Sequence, residues 1–289
     1  MDTNELLKKI KLIEIKTRGL TKQVFSGAYH SSFKGKGMEF SEVREYNVGD
    51  EVRTIDWNVT ARFNAPFVKV FEEERELTVI LMIDVSGSSE FGTQNKTKKD
   101  LALELAAVLA FSAIANNDKI GAIFVSNRIE KYIAPAKGKK HALYILRELI
   151  ALKPKSLKTN INEGLKFLRN TQKKRSIGFV ISDFIDSNSF QEGFNVNKRK
   201  HDLVAIRLSD PAESALPDLG MIHLYNAETG RKTWVNSSSS VAQKIFDENF
   251  KSFENQLKDI FKQLGIDQTT IQTTDDYIPK LVQLFKTRK

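Results

Sequence analysis

Residues Ile80–Phe91 read ILMIDVSGSSEF, an apolar run that stops at a carboxylate and is followed by serines. From Leu77 to Ile83 the chain is continuously apolar and rich in Val, Ile and Leu, as in a strand buried on both faces of a sheet. Asp84 closes the run, and Ser86, Ser88 and Ser89 follow within a few residues. The same pattern recurs downstream. Arg175–Phe184 is an apolar strand closing on Asp183, and Asp202–Asp210 closes on Asp210.

Helical periodicity fills the spaces between these runs. Lys98–Asn116 predicts a helix, and between Leu101 and Ala115 it is apolar on nearly every side, so it should be covered all round. Ile120–Val125 is a second strand, and a short strand near Glu130–Ala134 follows too soon for a crossover helix. That pair should be antiparallel. His141–Leu152 is an amphipathic helix stopping before Pro154, and Asn162–Arg169 begins another, with Asn160 or Thr159 placed to cap it. The alternation predicts an α/β fold: a doubly wound, mostly parallel sheet with helices on both faces.

Two regions fall outside it. Residues 1–76 open with a helical stretch and continue as short strands and turns, forming a separate N-terminal segment. Residues 77–289 would be the sheet domain, with a β-hairpin inserted near 211–236 that turns through Glu228–Gly230. Helical patterns at Ser240–Leu264 and Asp276–Lys286 end the chain, the second apolar enough to belong to the core. The N-terminal segment and the hairpin are expected to build a small additional β subdomain.

Composition narrows the function. The chain has 289 residues, 40% hydrophobic and 28% charged, enough for a sizeable core. It contains no Cys, which removes disulfides and thiolate chemistry. The longest apolar stretch, Leu101–Ala115, carries Glu104 and Ser112 and falls short of the ~20 residues that span a bilayer. The N-terminus has no signal-peptide core, so a cytoplasmic protein is expected. The net charge is +9, but the excess sits in short clusters at Lys96–Lys99, Lys137–Lys140, Lys173–Arg175 and Lys198–Lys200. None is interleaved with aromatics to stack bases, so solvated faces are expected rather than a nucleic-acid groove.

In an open α/β sheet, ligands bind beyond the carboxyl ends of the strands, where the strand order reverses. With the order 3-2-1-4-5, the strands ending in Asp84 and Asp183 are neighbours there. Two bare carboxylates ~4 Å apart repel by about 4 kcal/mol at an effective dielectric of ~20, a cost that a cation removes. Ser86, Ser88 and Thr159 would complete an all-oxygen donor set. Such a set selects Mg2+, Mn2+ or Ca2+ over Zn2+. Uncharged hydroxyls would leave the ion electron-poor, with a position open to a partner's carboxylate. A helix-capping serine loop is the structural alternative.

The DVSGS motif with a downstream Thr and ISD resembles the metal-ion-dependent adhesion site of von Willebrand factor A domains. The resemblance implies that Ser86, Ser88 and Thr159 bind metal directly and that Asp84 and Asp183 bind directly or through water. Gly35–Leu77 and Asp210–Gly230 are similar to the signature segments of the bacterial family called domain of unknown function fifty-eight. Ser89 departs from the apolar residue many relatives carry there and is expected to touch no ligand. Many relatives also carry N-terminal membrane spans, which this sequence lacks. The resemblance further implies a non-enzymatic, metal-dependent protein-interaction module working with a MoxR-type AAA+ ATPase in the assembly or activation of client complexes.

No G-x-x-x-x-G-K-[ST] loop is present, so nucleotide work would belong to that partner. In the signature segment, Arg44, Glu45, Asp50, Arg53, Asp56 and Arg62 could build an ion network that locks it to the sheet. Two other classes stay open. A phosphotransferase or hydrolase could use Asp84 as nucleophile, although Ser86 stands where such enzymes place a general acid. A serine hydrolase finds no G-x-S-x-G around Ser86, and His30, His141, His201 and His223 are not evidently placed to activate it. A basic nucleic-acid-binding protein is the third class.

Overall fold

The structure, a computed structural model, describes residues 39–63, 65–72, 77–93 and 96–288. The helical pattern expected near the N-terminus, and His30, lie outside them. The chain divides into two compact units at the Leu77–Thr78 junction.

In the smaller unit, β1 (Glu39–Glu45) leads through a turn and a short 3-10 helix into α1 (Trp57–Phe63). The chain then returns as β2 (Phe67–Glu72), antiparallel to β1. The charges of the signature sequence hold this unit together internally. Arg44 grips Asp50 through two bonds of 2.7 Å, and Asp50 also accepts the Asn47 amide, closing the turn. Arg44, together with the Asn47 amide, holds the Asp50 carboxyl down at about 2. Asp56 accepts the Asn58 and Val59 amides and so caps α1. The apolar alternation does not translate into burial throughout, because Val48, Val52 and Trp57 are exposed.

The larger unit is built on six strands. In chain order they and their helices are β3 (Thr78–Asp84), α2 (Lys98–Ala115), β4 (Lys119–Val125), β5 (Ile129–Ala136), α3 (Lys139–Ala151), α4 (Ile161–Thr171), β6 (Ile177–Ser182), α5 (Gln191–Asn197) and β7 (Asp202–Ser209). The hairpin β8 (Met221–Tyr225) and β9 (Lys232–Asn236) follows, then α6 (Ser240–Leu264), β10 (Asp267–Gln272) and α7 (Tyr277–Thr287). The sheet order is β10-β7-β6-β3-β4-β5, with only β5 antiparallel. The mostly parallel, doubly wound sheet therefore stands as expected. β3 and β6, the strands ending in Asp84 and Asp183, are neighbours at its switch point.

Both faces are covered, as the continuous apolar runs require. Ile80, Met82, Val180, Leu203 and Ala205 pack with Ile161, Leu165 and Leu168 of α4, Phe194 of α5, and Leu257 and Phe261 of α6. Strand alternation turns Phe179 to the other face, where its ring meets Phe285 of α7 edge-on at 6.1 Å. Gly164 lets α4 sit close to β3, since a Cβ there would lie 2.8 Å from Met82 Sδ. α2 is buried around most of its surface, and α7 packs into the core through Tyr277, Leu281, Leu284 and Phe285.

Several expectations need correcting. The N-terminal segment and the hairpin do not share a sheet: β1 pairs with β2 and β8 with β9. Three elements were not anticipated, α1, α5 and β10. β10 is a polar edge strand, DQTTIQ, parallel to β7. Asn160 occupies the N-cap position of α4 without a side-chain cap bond. The Asp186 carboxylate accepts the Ile161 amide instead, at 2.8 Å. Among the described residues, no helix is long and apolar enough to cross a membrane.

Candidate metal centre

β3 delivers Asp84 to the C-terminal edge of the sheet, and Val85 extends the ladder through its amide to the Val125 carbonyl. A 3-10 helix, Gly87–Glu90, then folds the serines back over the strand end. The Ser86 amide donates to Asp84 Oδ1 at 2.9 Å, and the Ser86 and Ser88 hydroxyl oxygens lie 3.1 Å apart. Ser89 is not idle: its hydroxyl donates to the Ser86 carbonyl at 2.7 Å and fixes the loop.

On the neighbouring strand, the Ser182 hydroxyl donates to Asp84 Oδ2 at 2.6 Å, so both oxygens of Asp84 are held. Asp183 follows immediately, and the chain turns sharply at Phe184, whose φ of 59° lies in the left-handed region. For a bulky residue that conformation costs roughly 1–2 kcal/mol. Here it sends the Phe184 ring into the core, against Phe190, Phe194 and Phe261.

Asp84 and Asp183 are both buried. Burial, then the neighbouring Asp183 charge, pushes the Asp84 carboxyl up to about 6, against the pull of its bonds from Ser182 and Ser86. A site that resists its own ionisation in this way is one that a cation relieves.

Lys98 is the residue that the sequence did not single out. It opens α2, where a positive charge opposes the helix dipole, and its side chain is only 2% exposed. Its ammonium donates to Asp183 Oδ2 and to Glu213 Oε1, each at 2.6 Å. Burial opposes the charge, but Asp183 and Glu213 outweigh it and hold the ammonium above its usual range. The lysine clusters are therefore not all solvated faces. Lys96 pairs with Glu104 and Lys99 with Glu90 as well.

Thr159, 3% exposed, stands on the loop before α4. That loop is tied to the serine loop by the Gly87 amide, which donates to the Leu157 carbonyl at 2.9 Å, and to β4's exit by the Asn160 amide on Ser126. The Thr159 hydroxyl donates to Glu228 Oε1 at 2.6 Å, so the hairpin turn reaches this end of the sheet. Asp210 belongs to a different set of bonds. It accepts the Thr93 and Thr273 hydroxyls and the Ala212 amide, joining three loops. The remaining histidines do not serve Ser86. His201 bonds Ser176, His223 stacks on Trp234, and His141 lies by Tyr144 on α3.

The donors can be tested against a hard cation. Mg2+ holds oxygens at about 2.1 Å in an octahedron, which sets neighbouring ligand oxygens roughly 3 Å apart. The Ser86–Ser88 separation matches that edge. A cavity of about 10 Å3, lined by Asp84, Ser88, Ser89, Lys98, Ser182, Asp183 and Leu208, gives room for about one water-sized sphere. Lys98 places one positive charge among three carboxylates, Asp84, Asp183 and Glu213, so a negative excess remains for a divalent ion. Of the expected donors, Asp84, Ser88 and Asp183 line this cavity and Ser86 is bonded to Ser88, whereas Thr159 is not part of its lining and bonds Glu228. Among the described residues, no group of three or more His, Cys, Asp or Glu could hold a metal.

Two solved structures are similar in fold. Conserved hypothetical protein BatB from Bacteroides thetaiotaomicron has a TM-score of 0.51 at 15% identity, covering 73% of this chain and 98% of that one. An aerotolerance-related membrane protein from Bacteroides fragilis has a TM-score of 0.52 at 13% identity, covering 73% and 99%. In sequence, uncharacterized proteins of Mycobacterium bovis and Mycobacterium tuberculosis are 26% identical over 294 residues, spanning 100% of this chain and 92% of each relative. The model of the family described as protein of unknown function DUF58 matches residues 42–255, inside both compact units, and the chain belongs to that family.

Proposed function

We propose that the chain is a non-enzymatic, divalent-cation-dependent protein-interaction module. The observation that carries this reading is the pair of buried carboxylates, Asp84 and Asp183, at the ends of adjacent strands beside the Ser86–Ser88 hydroxyl pair. In this reading Asp84, Ser86, Ser88, Thr159 and Asp183 hold Mg2+, with Mn2+ or Ca2+ as substitutes of the same hard character. The bound ion supplies a Lewis-acidic point for a partner's carboxylate. The chain's own residues do the rest. The Ser86 amide and Ser182 hydroxyl orient Asp84, and Lys98 balances Asp183 so that the site carries a moderate negative charge.

The partner in this reading is a MoxR-type AAA+ ATPase or its client, and the setting is cytoplasmic. Residues 1–76 form the family-specific segment and 77–289 the A-like domain. A nucleic-acid groove is disfavoured by the burial of Lys98 and the pairing of Lys96 and Lys99. A phosphotransferase at Asp84 is disfavoured by Ser86, whose backbone amide holds the carboxylate where a general acid is needed.

Thermal melts with Mg2+ and Mn2+ test the reading, with wild type beside Asp183→Ala and Ser88→Ala. At 100 times its dissociation constant, a metal stabilises the fold by about 2.7 kcal/mol. A saturable rise in wild type that both variants lose supports the site. Equal shifts in all three proteins, or metal-dependent phosphate-ester turnover abolished by Asp84→Asn, would overturn it.

A further inference from the structure

The loop that carries Thr159 also carries lysines that the fold leaves uncompensated. Lys153, Lys155 and Lys158 are all exposed, and Leu157 between them is 47% exposed. Among the described residues, none of these three ammonium groups pairs with a carboxylate. The main chain of the loop, by contrast, is fixed at close intervals. The Glu130 carboxylate, on a side chain 2% exposed, accepts the Lys155 and Ser156 amides at 3.0 and 3.2 Å and the Ser126 hydroxyl at 2.7 Å. The Leu157 carbonyl accepts the Gly87 amide, the Ser156 hydroxyl accepts the Lys158 amide, and the Ser126 carbonyl accepts the Asn160 amide. A buried carboxylate thus spends its oxygens on the backbone and leaves the lysine side chains free. Arg128, 53% exposed and 3.7 Å from Glu130, adds a further cation. The carboxylates that bond this loop, Glu130 and Glu228, are both engaged there, so positive charge remains in excess.

Resting on the protein-interaction reading above but not on its cation, we propose that Lys153–Lys158 is a pre-formed platform for a short acidic segment of the partner protein, with Leu157 supplying an aliphatic contact. Leu157 lies against the serine loop, since a Cβ on Gly87 would be 3.2 Å from the Leu157 Cβ. An acidic segment lying on the platform therefore runs up to the candidate metal centre. Five residue steps of extended chain cover at most about 17 Å, so a segment of about five residues reaches all three ammonium groups. Rigidity is the physical argument for a binding role: a loop whose main chain is already ordered loses little backbone freedom when a partner settles on it. Lysine ammonium groups act as mobile point charges, which suits carboxylates spaced along a peptide. Nucleic acid is less well matched, because the loop sequence LKPKSLKT offers no aromatic ring to stack a base.

The test is fluorescence anisotropy of the full chain with a fluorescein-labelled octaglutamate peptide, in EDTA at physiological ionic strength. Lys153→Gln, Lys155→Gln and Lys158→Gln combined should weaken binding about tenfold, as three exposed charge pairs together supply. Lys173→Gln, Lys174→Gln and Arg175→Gln combined remove the same charge from the opposite end of the sheet, before β6, and should change binding less than about twofold because salt screens distant charges. All of these positions are exposed, so both variants should keep the wild-type melting temperature. Equal weakening in the two variants, or no binding by wild type, would overturn the platform. So would displacement of the peptide by octathymidylate at lower concentration than by unlabelled octaglutamate, which would assign the lysines to nucleic acid. Repeating the titration with Mg2+ separates the two readings: binding that needs the loop lysines but gains nothing from Mg2+ leaves the platform standing and counts against the cation.

Discussion

Replacing Lys98 with methionine removes the ammonium buried among the site's carboxylates while keeping most of the length of the side chain. Its nitrogen lies 2.6 Å from an oxygen of Asp183 and 2.6 Å from one of Glu213, and the side chain is 2% exposed. Unit charges ~4 Å apart attract by about 4 kcal/mol at an effective dielectric of ~20, so the gross attraction to the two partners is large. The buried ammonium's own desolvation offsets much of it. What remains is the penalty for stranding a buried partner, about 3–5 kcal/mol. Glu213 is 16% exposed and can turn to water, whereas Asp183 at 3% cannot. The expected loss is therefore at the lower end, about 3 kcal/mol.

Urea unfolding at pH 7, followed by circular dichroism in metal-free buffer, should move the midpoint down by about 1 M if m is ~3 kcal/mol/M. Saturating Mg2+ should restore more stability to Lys98→Met than to wild type, because the ion takes over the charge that Asp183 lost. A loss below about 1 kcal/mol, unaffected by Mg2+, would refute the assignment of Lys98 as the counter-ion of Asp183.

Other perturbations test other parts of the fold. His201 is buried, and burial first, then the Lys200 charge, holds its imidazole down at about 4. An unfolded histidine titrates near ~6.5, so between pH 7 and 5 the unfolded chain takes up a proton that the folded chain refuses. Stability should fall by about 2 kcal/mol more in wild type than in His201→Gln over that interval, and parallel pH profiles would contradict this. Gly87→Ala forces a Cβ against the Ala227 carbonyl and should speed tryptic cleavage after Arg231 several-fold, with little change in the denaturation midpoint of the sheet. Phe261→Ala empties the centre of the ring cluster formed with Phe184, Phe190 and Phe194 and should cost about 3–5 kcal/mol in chemical denaturation.

The amino-acid sequence by itself determined the sheet except for its β10 edge. Runs such as Val79–Ile83 and Ile177–Ile181 are apolar at every position, which only a strand covered on both faces explains. Their alternation with helices then leaves few topologies, and β3 beside β6 follows from the usual order. Asp84, Ser86, Ser88, Thr159 and Asp183 were visible as candidates because each stands at or near a strand exit or a helix entry.

The tertiary structure decided what those residues touch. Lys98 reads as one lysine of a basic cluster, and only the crossing of α2's first turn with the end of β6 buries it on Asp183, 85 residues away in sequence. Glu228 sits 69 residues from Thr159, in a turn whose local pattern signals a hairpin and nothing about its destination. β10 carries too little apolar surface to be recognised alone and becomes a strand because β7 offers it an unpaired edge. Periodicity is local and survives in the one-dimensional string. Charge pairing and edge pairing depend on which loops meet in space, and that is set only when the whole sheet has closed.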